Sequence, residues 1–161
     1  MKITYGKIEQ RDSENLAKMI RNVFIEHDAP KEGTVYSDPT TDNLYALFQY
    51  PESILHVVRV NDIAVGCCGI FPTAGLPDGC VELVKFYLEK EYRESGIGLN
   101  LFGMSIESAR EFGYKSIYLE SLPHYAKAVN MYEKNGFYYI KSPLGNSGHT
   151  TCNIWMVKDL Y

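Results

Sequence analysis

The sequence predicts an α/β domain built around a mixed sheet, and three observations predict it. Strand-like alternation and helical periodicity replace one another along the whole chain. Glycine, proline, asparagine and aspartate punctuate the changes. No repeat, low-complexity tract or linker divides the 161 residues, of which 45% are apolar and 22% charged, so residues 1–161 are read as one domain with its own core. Sixteen Lys and Arg against twenty Asp and Glu leave a net charge of −4. That sign argues against a nucleic-acid or anionic-membrane partner and suits a cationic one such as an amine. Met1 to Gly6 holds no long apolar stretch, and the longest apolar run, Ile63–Phe71, is far below membrane-spanning length. A cytoplasmic protein is expected.

Ile3–Glu9 reads as a short strand. Asp12 or Ser13 caps a helix whose Leu16, Met19, Ile20, Val23 and Phe24 recur at helical spacing, and which ends near Asp28, ahead of Pro30. Pro30–Pro39 is polar and turn-rich, and Thr40 or Thr41 opens a second short helix reaching about Gln49. Ile54–Val60 and Ile63–Phe71 form a hairpin across Asn61-Asp62, two residues that tolerate the positive φ of a tight turn. Val81–Leu88 is the next strand after the Gly75–Gly79 turn. A helix then runs from about Gly98 to Phe112 with Leu99, Phe102, Ile106 and Ala109 on one face and Gly113 as its stop. Ser116–Glu120 is a strand and Tyr125–Asn135 a helix ending at Gly136. Phe137–Ile140 and Cys152–Val157 are two last strands across the Gly145–Gly148 turn. Cys67, Cys68, Cys80 and Cys152 form no C-x-x-C pair and no metal-ligand spacing with histidine, so they read as reduced thiols, and no metal is expected. Within their strand, Cys67 and Cys68 point to opposite faces.

Between the fourth strand and the following helix stands Arg93-Glu94-Ser95-Gly96-Ile97-Gly98. Glycines let a backbone wrap closely around an anion, and a helix N-terminus adds unsatisfied N–H groups and about half a positive charge. The segment is a recipe for holding a pyrophosphate, or else a tight turn. It is no dinucleotide fingerprint, because Leu101 stands where the third glycine belongs, and no Gly-Lys-Ser/Thr follows for a nucleoside triphosphate.

Taken with its surroundings, the loop makes the chain resemble the GNAT superfamily of acyl-CoA-dependent N-acetyltransferases. Val81-Glu82-Leu83-Val84-Lys85-Phe86-Tyr87-Leu88 is similar to that family's central strand, and Arg93 to Gly98 to its Gln/Arg-x-x-Gly-x-Gly/Ala loop. Leu119-Glu120 and Ala128-Val129-Asn130-Met131-Tyr132-Glu133-Lys134-Asn135-Gly136-Phe137 resemble its second motif, and Trp155 to Leu160 its closing strand. The resemblance implies a central mixed, mostly antiparallel sheet of about six or seven strands flanked by about four helices. It also implies acetyl-CoA as cosubstrate. Arg93, Glu94, Ser95, Gly96, Ile97 and Gly98 would hold the pyrophosphate, and the strand edge at Phe86, Tyr87 and Leu88 the pantetheine, with Ala128 and Tyr132 from the second motif beside them. Many members carry Asn seven residues before the motif tyrosine; this chain has Tyr125 there.

The implied reaction is direct transfer of acetyl to a primary amine, whether small molecule, amino acid or peptide, within a ternary complex. A homodimer is the expected assembly, with no nucleic acid and no membrane. An alkylamine is protonated at neutral pH, so a base is needed. Glu82 is the candidate: in strict alternation it shares a face with Val84, Phe86 and Leu88, an apolar setting that raises a carboxyl pKa, although a bulge, which the resemblance makes common in this strand, would change that parity. The other reading is a charge paired with Lys85 or Arg93. Tyr132 stands where the family places the tyrosine that protonates the leaving thiolate; otherwise it packs on the sheet. Among His27, His56, His124 and His149, His124 is the one beside the second motif. Tyr36, Tyr45, Phe48 and Tyr50 line an acceptor pocket or belong to the core, and Asp28, Glu32 and Asp38 make an acidic approach or a solvated loop. The rival function is a non-catalytic acyl-CoA-binding or sensing module.

Overall fold

Two apolar faces of one sheet organise the computed structural model, which describes all residues 1–161. Seven strands, β1 (Ile3–Lys7), β2 (Ile54–Val60), β3 (Ile63–Phe71), β4 (Cys80–Leu88), β5 (Ser116–Ser121), β6 (Tyr138–Tyr139) and β7 (Ile154–Asp159), lie in the order β1-β2-β3-β4-β5-β7-β6. All pairs are antiparallel except β4 with β5. Helices α1 (Ser13–Glu26) and α2 (Leu44–Leu47) cover one face; α3 (Ile97–Glu111) and α4 (Ala126–Lys134) cover the other. The mixed, mostly antiparallel sheet with four helices that the resemblance implied is therefore present. No helix is long and apolar enough to cross a membrane.

The spacing of Leu16, Met19, Ile20, Val23 and Phe24 puts all five on one side of α1, where they are buried against Leu55, Val57 and Cys67 of the sheet. The N-terminus of this helix is pinned rather than capped: neither Asp12 nor Ser13 makes the side-chain cap bond expected of it, and Ser13 instead accepts from the Tyr45 amide at 3.2 Å. Asp12 accepts from the Glu9 amide at 2.7 Å and takes two bonds from the Arg59 guanidinium of β2, at 3.0 and 2.5 Å, both side chains being almost fully buried. α1 is one wall of the cleft described below, so this pair sets where that wall stands. Asn61 and Asp62 adopt φ of 50° and 68°, the turn that the β2–β3 hairpin needs.

Three local expectations are corrected. The second helix is not capped by Thr40 or Thr41: Asp38 caps a 3-10 turn over Pro39–Asn43, and Asn43 then caps α2, while the Thr41 hydroxyl is buried on the Val35 carbonyl at 2.7 Å. Asp and Asn accept better from the free amides than Thr does. Leu99 is 55% exposed, because α3 begins at Ile97 and turns Ile97, Leu101, Phe102, Ile106 and Ala109 inward. The strand predicted over 137–140 pairs only through Tyr138–Tyr139 and stops short of Ser142-Pro143, where proline offers no N–H. Its partner β7 begins at Ile154 rather than Cys152.

The correction that matters most lies in β4. Its pairing with β3 jumps from Gly69↔Val84 to Cys67↔Tyr87, and Lys85 at the jump has φ of 56°. This is a β-bulge, held by the Cys67 thiol, which donates to the Lys85 carbonyl at 3.0 Å. The bulge shifts the alternation by one residue. Phe86 and Leu88 pack on the α3 face with Val81 and Leu83, so they do not share the face of Glu82 that strict alternation assigned to them. Val84 and Tyr87 pack on the α1 face.

Replacing Arg59 by Met is expected to leave Asp12 buried without its counter-charge, at a cost of about 3–5 kcal/mol. Urea unfolding of the two proteins measures it; a loss below about 1 kcal/mol, the worth of an exposed pair, would contradict the anchoring role.

Candidate active site

β4 and β5 run parallel but pair only from Cys80↔Ser116 to Glu82↔Tyr118, and beyond Glu82 they part. From Leu83 onward the β5-facing edge of β4 has no partner strand, and the gap is the floor of a cleft of about 810 Å³. α1 and α4 form its sides. One end is the Glu94 to Gly98 loop with Lys127; the other holds Glu82, Lys85, Glu120, His149 and Cys152.

At the loop end, Glu94 and Gly96 have φ of 61° and 85°, and the left-handed turns aim successive amides toward the cleft. No side chain caps α3, so its first amides stay free for an anion. The loop itself is fastened from outside: Arg93 donates to the Leu88 carbonyl at 3.0 Å and pairs through both terminal nitrogens with Glu26 of α1, at 2.5 and 3.0 Å. That guanidinium holds the Glu26 carboxyl below its usual range. Arg93 is therefore committed to protein partners, and Glu82 pairs neither with it nor with Lys85. Ser95 donates to the Tyr92 carbonyl at 2.6 Å, and Ile97 is buried in the core behind the loop. Glu94 and Lys127 bridge the mouth at 2.9 Å, both largely in solvent.

The middle of the cleft is aromatic. Tyr87 of β4 meets Phe24 of α1 at 5.8 Å between ring centres, and Tyr125 meets Phe24 at 5.7 Å and His27 at 5.1 Å. The Tyr125 hydroxyl is buried here with no hydrogen-bond partner, an orphan donor in the wall of the cleft. Tyr132 of α4 packs against Phe86, Phe102 and Phe137 at 5.7–6.4 Å and also lines the cleft, so it is both core and surface of the site. Burial pushes its hydroxyl pKa far up, which keeps it protonated at any working pH. Ala128, half-buried, sits one turn before it on α4.

At the far end Glu82 is 5% exposed and accepts from the Thr73 hydroxyl at 2.5 Å. Desolvation raises its pKa to about 7, with the charge of Glu120 adding to the rise and Thr73 and Lys85 opposing it. Glu120 accepts from Tyr118 at 2.6 Å and from Ser147 at 2.5 Å. His149 pairs with Asp38 at 2.8 Å.

Lys85, which the sequence offers only as an ion-pair partner of Glu82, lines the cleft on its own, and Thr73, Ser147 and the His149–Asp38 pair come from loops remote in sequence, for which local periodicity carries no signal. Of the other candidates, His124 is exposed at the cleft margin, and His56 is buried on the Ser108 hydroxyl at 2.8 Å, away from the cleft. Phe48 is core, Tyr36 and Tyr45 pack against it, and Tyr50 is exposed against Phe71, so none of the four lines the cleft. Asp28 and Glu32 are exposed outside it.

A free strand edge, an uncapped helix behind two left-handed turns and an orphan hydroxyl together fit an elongated ligand with amides at its centre and a pyrophosphate at one end. The comparisons with known proteins agree. Residues 21–137 match the model of the acetyltransferase (GNAT) family. The chain is 33% identical over 155 residues to the uncharacterized N-acetyltransferase YjgM of Escherichia coli (strain K12), covering 96% of this chain and 93% of that one. A GNAT-family acetyltransferase of Staphylococcus aureus Mu50 superposes with a TM-score of 0.87 at 21% identity, over 99% of this chain and all of that one. The PaiA N-acetyltransferase of Thermoplasma acidophilum, solved with coenzyme A, superposes at 0.73 with 18% identity over 99% of each chain. The chain belongs to the GNAT family. It is an acetyl-CoA-dependent N-acetyltransferase, acting on an amine.

A Cβ at Gly98 would meet only the Phe86 ring at 3.6 Å and Leu88 at 3.9 Å, ordinary contacts, so Gly98→Val is expected to fold. Its branched side chain would stand where an anion approaches the amides, and acetyl-CoA affinity is expected to fall at least about tenfold, the effect of losing one charge-assisted bond. Titration calorimetry checks this; equal affinity in both proteins would remove the loop from the cofactor site.

Proposed function

We propose that the cleft transfers acetyl directly from acetyl-CoA to a primary amine in a ternary complex, with Glu82 as general base and Tyr132 as general acid. The observation that carries the reading is the placement of Glu82. It is a buried carboxyl at the point where β4 and β5 part, in one continuous cleft with the Gly96 loop and Tyr132. Acetyl-CoA supplies an acyl group activated as a thioester. The chain's own groups do the rest.

The amides of Glu94 to Gly98 and the open edge of β4 at Phe86, Tyr87 and Leu88 hold and orient the cosubstrate, with the Tyr125 hydroxyl and Ala128 against its arm. An acceptor reaching the far end arrives as an ammonium, and Glu82 takes its proton. A carboxyl whose pKa lies near 7 gains as a base what one near ~4.3 lacks, because the proton it must accept comes from a weak acid. As the new C–N bond forms and the C–S bond breaks, the Tyr132 hydroxyl gives its proton to the departing sulfur, and the extra proton left on the acylated nitrogen passes to the Tyr132 phenolate, directly or through water, to restore it. Burial keeps Tyr132 protonated and so a constant hydrogen-bond donor to the sulfur, while the transfer itself is driven by the charge that develops on sulfur as the C–S bond breaks, not by the acidity of the phenol. Residues 1–161 act in this reading as one domain, which the single seven-stranded sheet supports. The free thiols of Cys67, Cys68 and Cys80 support a cytoplasmic setting.

Glu82 must be ionised to accept a proton, so kcat/KM of the wild type is expected to rise with pH through a limb near 7. Glu82→Gln keeps the shape and removes the charge; it is expected to lose that limb and approach wild-type rates where the free amine dominates. Parallel profiles, after melts have excluded a stability effect, would refute the assignment and move it to a water held by Glu120. Tyr132→Phe keeps the packing and is expected to lower kcat by roughly 10²-fold with acetyl-CoA affinity unchanged. An unchanged kcat would return Tyr132 to the core alone.

A further inference from the structure

Lys85 is the bulge residue of β4. In a regular strand, residues three apart point to opposite faces, and Lys85 would lie on the α3 side away from Glu82. The bulge turns it onto the side of Glu82, where it lines the cleft while only 7% exposed. Its ammonium makes no hydrogen bond and has no carboxylate oxygen within 4.0 Å. Each acid around it has another partner: Asp38 is taken by His149 at 2.8 Å, Glu82 by Thr73 at 2.5 Å, and Glu120 by Tyr118 and Ser147 at 2.6 and 2.5 Å. Asp38 and Glu82 offset its charge only from a distance, and none of its three N–H groups has a direct partner, so the ammonium stands in the cleft wall with its donors free for a ligand.

The same end of the cleft thus offers an acid that receives an ammonium and, on the same strand, a lysine that lacks an anion. We propose that the acceptor is an α-amino acid, its amine directed at Glu82 and its carboxylate held by Lys85. The inference rests on the reading of Glu82 as the base and adds the substrate class. A simple cationic amine would meet the surrounding acids but leave the Lys85 donors without a partner. A phosphate would bring a second negative charge toward Asp38, Glu82 and Glu120, and no guanidinium lines this end of the cleft to meet it. One lysine among three acids matches one carboxylate.

The test compares each proteinogenic α-amino acid with its own α-carboxamide, on the intact protein saturated with coenzyme A for binding by calorimetry and with acetyl-CoA for thiol release. At least one acid is expected to bind and react with kcat/KM about tenfold or more above its amide, the scale of one charge-assisted bond. Lys85→Met also removes a charge that holds the Glu82 pKa down, so both substrates are compared above the Glu82 limb; there the acid-to-amide ratio of kcat/KM is expected to fall at least about tenfold, through a rise in KM for the acid. Amides equal to or better than their acids on the wild type would overturn the proposal with no variant needed, as would a Lys85→Met that folds and keeps the acid preference. Binding of an acid that depends on Lys85 but releases no thiol would support the pairing and contradict the proposed catalysis by Glu82, so the two failures are distinct.

Discussion

A single irregularity in one strand organises the far end of the cleft. Lys85 sits at φ 56°, a region that costs a lysine of order 1–3 kcal/mol, and it stays there because its neighbours leave it no alternative. The Cys67 thiol satisfies its carbonyl, and the ladder with β3 resumes at Tyr87. The β4–β5 pairing has already ended at Glu82, three residues earlier, so β4 leaves β5 with an unpaired edge. Three properties of the cleft follow from these few residues: an open backbone edge, a buried carboxyl at the fork, and a lysine on the same wall.

The electrostatics of the two ends differ for a common reason, burial. At the loop end the charges that matter are backbone dipoles, fixed in direction by two left-handed turns and a helix start, while the full charges nearby cancel one another as Arg93 with Glu26 and Glu94 with Lys127. At the far end the charges are side chains, and the two most deeply withdrawn from water are shifted toward their neutral forms: Glu82 is raised, and Lys85 is lowered chiefly by desolvation, with Asp38 and Glu82 resisting. The aromatic stretch between the two ends, Phe24, Tyr87, Tyr125 and Tyr132, lines the middle of the cleft.

Much of this was legible in the sequence because it is written locally. The five apolar residues of α1, the Asn61-Asp62 turn and the glycines of the Arg93 to Gly98 loop each act through their own backbone or through neighbours one turn away. Glu82 was legible as a charge inside an apolar strand. The position of the bulge was not, because a lysine at positive φ has no signature of its own; it is imposed by Cys67 and the register with β3. The placing of Phe86 and Leu88 beside Glu82 follows from alternation counted without that shift. Asp38 with His149, 111 residues apart, and Glu120 with Ser147 needed the fold before they could be seen.

The claim on which the rest turns is that the fork between β4 and β5 holds a carboxyl whose proton affinity has been raised into the working range of a base. A ¹³C NMR titration of the glutamate carboxyl carbons, with Glu82→Gln to assign the resonance, measures this in the resting protein without any acceptor. The account predicts that the Glu82 signal titrates with a midpoint near 7. A midpoint near ~4.3, that of a glutamate in water, would contradict it.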